Sequence, residues 1–161
     1  MTRFTITMLI GILLTGCGSM SGTSSEPLVI GYKNPETMVD PSRMGYSHVV
    51  TARNGTLVFI AGQGPTNAEG KPVGRGDLKA QANQAVDNIL AALAALDAGA
   101  ENILYLRINV VGYQPKMLMD IAPALKRLQT GGDMPPASVF IGVESLIVPG
   151  TLIEIETIAA I

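Results

Sequence analysis

The stretch Asp77-Leu78-Lys79-Ala80-Gln81-Ala82-Asn83-Gln84-Ala85-Val86-Asp87-Asn88-Ile89-Leu90-Ala91-Ala92-Leu93-Ala94-Ala95-Leu96, followed by Ile103-Leu104-Tyr105-Leu106-Arg107-Ile108-Asn109-Val110-Val111, carries the change of period that decides the fold. In the first part Leu78, Ala82, Ala85, Ile89, Leu93 and Leu96 recur at steps of three and four, which predicts a helix with one apolar stripe. Asp77 stands where an N-cap carboxylate accepts from first-turn amides and meets the positive end of the helix dipole. Gly99 is expected to close the helix in the left-handed conformation. In the second part the period drops to two. Leu104, Leu106, Ile108 and Val110 share one face of a strand, and Arg107 and Asn109 share the other. Two polar residues among apolar neighbours call for either a buried network or a site.

Working outward, Met44–Ala52 and Thr56–Ala61 read as strands flanking Arg53-Asn54-Gly55, and Asn-Gly between two apolar runs predicts a hairpin. Gly62–Gly76 is rich in glycine and proline and reads as a loop. Downstream, Pro115 opens a second helix running to about Leu128, with Met117, Ile121, Leu125 and Leu128 as its buried stripe and Gly131-Gly132 as its break. Val139–Leu146 and Thr151–Ala160 are two further strands joined by a turn at Ile147-Val148-Pro149-Gly150. The order β-β-α-β-α-β-β predicts an α+β fold with two helices on one sheet face. The opposite face also carries Val, Ile and Thr, so another subunit is expected to cover it.

Composition removes several function classes. The chain has 161 residues, 47% apolar and 15% charged, which suits one domain with a real core and excludes disorder. Eleven basic against thirteen acidic residues give a net charge of −2 with no basic block, and with 4% aromatic residues and no Trp a nucleic-acid surface has no support. One Cys and one His exclude an internal disulfide and a Cys/His zinc site.

The N-terminus reads as a processing signal. Phe4–Leu14 is an apolar run behind Arg3, too short to cross a bilayer, which takes about 20 residues. It leads into Leu14-Thr15-Gly16-Cys17, which resembles the lipobox of bacterial lipoproteins. That resemblance implies cleavage before Cys17 and acylation there, hence a membrane partner through a lipid anchor. The expected division is a signal peptide over 1–16, a lipidated Cys and flexible tether over 17–28, and one domain over 29–161. Gly18, being non-acidic, favours the outer membrane over the inner, on the periplasmic side. An ordinary secretory signal with an incidental Cys is the alternative.

Few residues could carry chemistry. Glu154 and Glu156 alternate on the last strand and so share a face, where they could serve as acid and base or simply line a solvated edge. His48 is the lone imidazole and reads as a packed strand residue beside Val49 and Val50. Gly74-Arg75-Gly76-Asp77 precedes a helix N-terminus but lacks the spacing of a phosphate loop, so it reads as turn chemistry.

Several stretches together resemble the YjgF/RidA reactive-intermediate deaminase family: Gly45-Tyr46-Ser47-His48; Leu57-Val58-Phe59-Ile60-Ala61-Gly62-Gln63; Gln84–Leu93 closed by Ala98-Gly99-Ala100; and Pro136-Ala137-Ser138-Val139-Phe140-Ile141-Gly142-Val143 with Leu152-Ile153-Glu154-Ile155-Glu156. The resemblance implies a homotrimer with small-molecule pockets between subunits. It also implies hydrolysis of enamines and imines to ammonia and a keto acid, without metal or organic cofactor. Carried over by position, Glu154 and Tyr46 match the family's catalytic carboxylate and tyrosine, and Gly62 the backbone at the pocket. Two ligand-binding positions depart: Ser138 stands where active members place a carboxylate-clamping arginine, and Ala61 where they often have serine. Arg107 is the one candidate substitute cation if its strand face lines the pocket. The resulting expectation is a small-molecule-binding lipoprotein that is not a standard 2-imino acid deaminase. The alternatives are a deaminase of divergent substrate and a non-catalytic envelope module.

Overall fold

A computed structural model describes residues 26–41, 44–129 and 134–161. The signal, Cys17, the tether up to residue 25 and Gly131-Gly132 lie outside the described residues. Six strands and two helices follow in the order β1 Val29–Lys33, β2 Val49–Arg53, β3 Leu57–Gln63, α1 Leu78–Ala94, β4 Ile103–Val111, α2 Leu118–Lys126, β5 Ala137–Val143 and β6 Ile153–Ala160. β1 and β2 pair as an antiparallel ribbon, and the other four strands form one mixed sheet in the order β3-β6-β4-β5. β6 is antiparallel to both its neighbours, while β4 and β5 run parallel across the α2 crossover.

α1 begins as its sequence dictates: the Asp77 carboxylate accepts from the Ala80 amide at 3.0 Å. Ala82, Ala85, Val86, Ile89 and Leu93 are fully buried against Ile153, Ile155 and Ala159 of β6 and Leu106, Ile108 and Val110 of β4. α2 adds Ile121, Ala124 and Leu125, preceded by a 3-10 turn at Pro115–Met117. The helices cover one face of the sheet, as an α+β layer requires. The Asp87–Arg127 ion pair, 2.6 Å long, joins the two helices at the surface.

Three local expectations are corrected. The Asn-Gly hairpin does not form: β2 pairs with β1, a strand not read from the sequence, and β3 pairs with β6. Asn54 does take a left-handed φ of 61°, but Thr56 exchanges both backbone hydrogen bonds with Ile161, at 2.7 and 3.0 Å, so a long-range pairing outweighs the local turn signal. Helix α1 ends a turn early, with Asp97 rather than Gly99 in the left-handed region (φ 54°) and the Ala98 amide donating to Leu93 O at 3.1 Å. Leu96 accordingly leaves the stripe and is exposed. In β4 a register shift between Ile103 and Tyr105 puts Ile103 into the core in place of Leu104. The turn expected before β6 does form, with the Thr151 amide donating to Val148 O at 3.1 Å, while β4 lies between β5 and β6 in the sheet.

Candidate functional site

Alternation along β6 sends Ile153, Ile155, Thr157 and Ala159 into the core and leaves Glu154, Glu156 and Ile158 on the sheet face without helices. In the register of the sheet, Glu154 faces Asn109 and Glu156 faces Arg107. Arg107 Nε lies 3.9 Å from Glu156 Oε1, and Asn109 Nδ2 donates to that same oxygen at 3.4 Å. This cluster answers the question the polar pair on β4 raised. It is a network, centred on Glu156.

Glu154 sits apart from that network, with no hydrogen bond or ion pair among the described residues, at the β3 edge. There the β3–β6 register shifts between Ile60 and Gln63. The shift brings Gly62 directly over the carboxylate: a Cβ on Gly62 would stand 2.7 Å from Glu154 Cδ and 2.9 Å from its Cγ. Only glycine lets the two strands close this tightly over a side chain. Beside them opens a cavity of about 570 Å³ whose walls are the loop after β3 (Gln63 to Ala68), Asn88 and Ala91 of α1, and the loop before β6 (Leu146 to Thr151). Its volume falls in the range of roughly 300–1,000 Å³ usual for small-molecule sites. Among the described residues Glu154 is the only charged one in its lining, with no Lys or Arg beside it. Arg107 does not line it.

Tyr46 and Ser138 lie together elsewhere. Ser47 Oγ donates to Pro135 O at 2.6 Å and the Ser47 amide to Pro136 O at 3.1 Å, which docks the Tyr46 segment against the start of β5. Tyr46 packs edge-on against His48, whose Nε2 is 2.8 Å from Val39 O, so the lone imidazole is a packing residue here. Ser138 is opposite Leu106, whereas Glu154 is level, through Asn109, with Ile141. Three residues along and two strands across put Ser138 and Glu154 roughly 14 Å apart by ordinary strand spacings. One protomer therefore brings Gly62, Ala61 and Glu154 to one place and Tyr46 and Ser138 to another.

Sequence reasoning missed the residues that hold the cavity walls. Gln81 and Asn88, two helical turns apart on α1, bond the loops on either side. The signal was present as two amides spaced by seven within an Ala-rich helix. Among the described residues no group of three or more His, Cys, Asp or Glu could hold a metal ion, and no helix is long and apolar enough to cross a membrane.

With this geometry in hand, the comparisons are specific. Residues 37–161 match the family model described as Endoribonuclease L-PSP. A search of curated proteins found no match. Among solved structures, a protein of unknown function of the conserved Rid protein family, YyfB from Yersinia pestis, is 37% identical over 82% of this chain and 98% of that one, with a TM-score of 0.76. Rv2704 from Mycobacterium tuberculosis, of the YjgF/YER057c/UK114 family, is 26% identical over 84% of this chain and 100% of that one, with a TM-score of 0.52. The YjgF gene product from E. coli is 25% identical over 66% and 84%, with a TM-score of 0.55. The chain belongs to the Endoribonuclease L-PSP family, the YjgF/Rid proteins.

Proposed function

We propose that this protein is a lipid-anchored, homotrimeric Rid protein that binds a small molecule at the Glu154 cavity, with the pocket completed between subunits, and that it is not a standard 2-imino acid deaminase. The family is typically homotrimeric. The separation of Glu154 and Gly62 from Tyr46 and Ser138 supports a pocket that needs two protomers. The observation that carries the reading is charge: among the described residues the cavity is lined by one carboxylate and no cationic side chain. A 2-imino acid has its own carboxylate one carbon from the reacting nitrogen, so both must enter the same space. Two negative charges about 4 Å apart repel by about 4 kcal/mol at an effective dielectric near 20. The serine at position 138 offers one neutral donor where a guanidinium would offer two charge-assisted bonds. The portion of the ligand that meets Glu154 is therefore cationic or uncharged.

A second reading keeps catalysis, and the unpartnered state of Glu154 favours it. A free carboxylate at a cavity wall can accept a proton from water as the hydroxide adds to an imine carbon; the carboxyl passes that proton to the nitrogen, and the C–N bond breaks as the hydroxyl proton also goes to nitrogen, releasing ammonia and leaving a carbonyl. On this reading the substrate is an imine or enamine without the adjacent carboxylate. The discriminating experiment offers purified protein 2-aminoacrylate and, separately, imines unsubstituted at nitrogen that carry no carboxylate. No acceleration of ammonia release from the first is expected. Turnover of the second that disappears in Glu154→Ala would establish the deaminase reading. A melting temperature unmoved by any amine or imine would leave only an envelope module. The anchor has its own test: Cys17→Ser should shift the protein from the membrane to the soluble fraction and end labelling by radioactive palmitate.

A further inference from the structure

The Glu154 cavity does not end at its own walls. Pro65, Thr66, Val148 and Thr151 line it and also line a second cavity of about 350 Å³, in which Arg75 is the one charged residue. The two cavities therefore adjoin along these residues, with a carboxylate lining the first and a guanidinium side chain lining the second.

The second cavity is a built space. Gln81, only 1% exposed, donates Nε2 to Gly74 O at 3.0 Å and to Gly150 O at 2.9 Å, and its Oε1 accepts from the Leu152 amide at 2.7 Å. One buried amide thus joins the Arg75 turn to the loop before β6. The Val73 amide donates to Pro65 O at 2.7 Å, and Asn67 Oδ1 accepts from the Glu69 and Lys71 amides, so the 65–73 loop is closed on itself. Asn88 Nδ2 pins that loop to α1 through Gly64 O and Thr66 O. Arg75 is set between Gly74 and Gly76, both left-handed at φ 64° and 75°, a tight turn that side chains at those positions would oppose. Its guanidinium has no hydrogen bond or ion pair among the described residues, and the nearest carboxylate in sequence, Asp77, is occupied in capping α1. Arg75 is exposed, with its backbone set by the turn, and an unpaired guanidinium lining a cavity favours an anion, its fork suiting a carboxylate.

We propose that Arg75 forms an anion subsite and that the ligand is an extended ω-amino or ω-imino carboxylate, with its nitrogen at Glu154 and its carboxylate at Arg75. This rests on the assignment of the Glu154 cavity made under Proposed function and adds the other end of the molecule. Such a ligand keeps its anionic group away from Glu154, which a 2-imino acid cannot do.

The test is calorimetric titration of the full chain with hexylamine, hexanoate, glycine, 4-aminobutanoate and 6-aminohexanoate. The longer amino acids should bind at least tenfold more tightly than the amine, the acid or glycine. Arg75→Gln should weaken 6-aminohexanoate about tenfold and leave hexylamine unchanged, while Arg75→Lys retains most of the affinity. Glu154→Gln should weaken hexylamine and 6-aminohexanoate alike, with melting curves confirming that each variant folds. If Arg75→Gln leaves 6-aminohexanoate untouched while Glu154→Gln weakens it, the anion subsite is wrong and the Glu154 assignment stands. If Glu154→Gln has no effect, or no probe binds, the assignment falls and the subsite falls with it.

Discussion

The two faces of the four-stranded sheet obey different rules. Toward the helices, Ile153, Ile155 and Ala159 are fully buried and interlock with α1 and α2. On the other side Leu57 is 54% and Phe59 73% exposed, beside Tyr105, Ile158 and the Arg107–Glu156–Asn109 network. The first face is finished within one chain. The second carries large apolar residues that are exposed among the described residues, interrupted by polar side chains, and the candidate chemistry lies at its margin. Stability belongs to one face, and on the reading proposed above assembly and binding belong to the other.

Substitutions on the two faces should divide along that line. Ile155→Ala removes a fully buried side chain and should cost about 2–5 kcal/mol, read from the midpoint of urea unfolding. Gly62→Ala comes next: its methyl must displace the Glu154 side chain, costing about 1–3 kcal/mol of strain and abolishing amine binding in the same titration. Phe59→Asp should leave chain stability within about 1 kcal/mol yet convert the trimer to monomers by sedimentation velocity; a variant that stays trimeric would show that this face is not the interface. The smallest effect is expected at Arg107 and Glu156. Both are close to half exposed, so a double-mutant cycle should give a coupling under about 1 kcal/mol. A coupling well above that would mean another subunit buries the pair.

The same contrast explains what the residues disclosed in advance. The helix-facing stripe was legible because burial on one side imposes a period, and Ala82, Ala85, Ile89, Leu93, Ile121 and Leu125 all fall where spacing puts them. The Asn54-Gly55 signal misled because a turn preference of one or two residues competes with a whole strand: β3 pairs with β6 from Leu57 to Ile60 and again at Gln63, and not with β2. β1, short and interrupted by Gly31, gave no periodic signal at all. At the candidate site, Glu154 and Gly62 could be named from the family resemblance, but their contact depends on a register shift no local pattern encodes. The roles of Gln81 and Asn88 were illegible for a similar reason, since their partners are backbone atoms up to 71 positions away. Arg107 looked free to serve a pocket because its partner, Glu156, adjoins it only through strand pairing.

β6 follows every other described strand in chain order yet lies inside the sheet, between β3 and β4. During synthesis β3 therefore waits, its edge unsatisfied, until the final strand has cleared the ribosome. Of the four-stranded sheet only the β4–β5 pair can assemble earlier. Until β6 is made the nascent polypeptide thus stays open, a window in which chaperones can hold it and, on the exported reading proposed above, a translocation pore can still thread it.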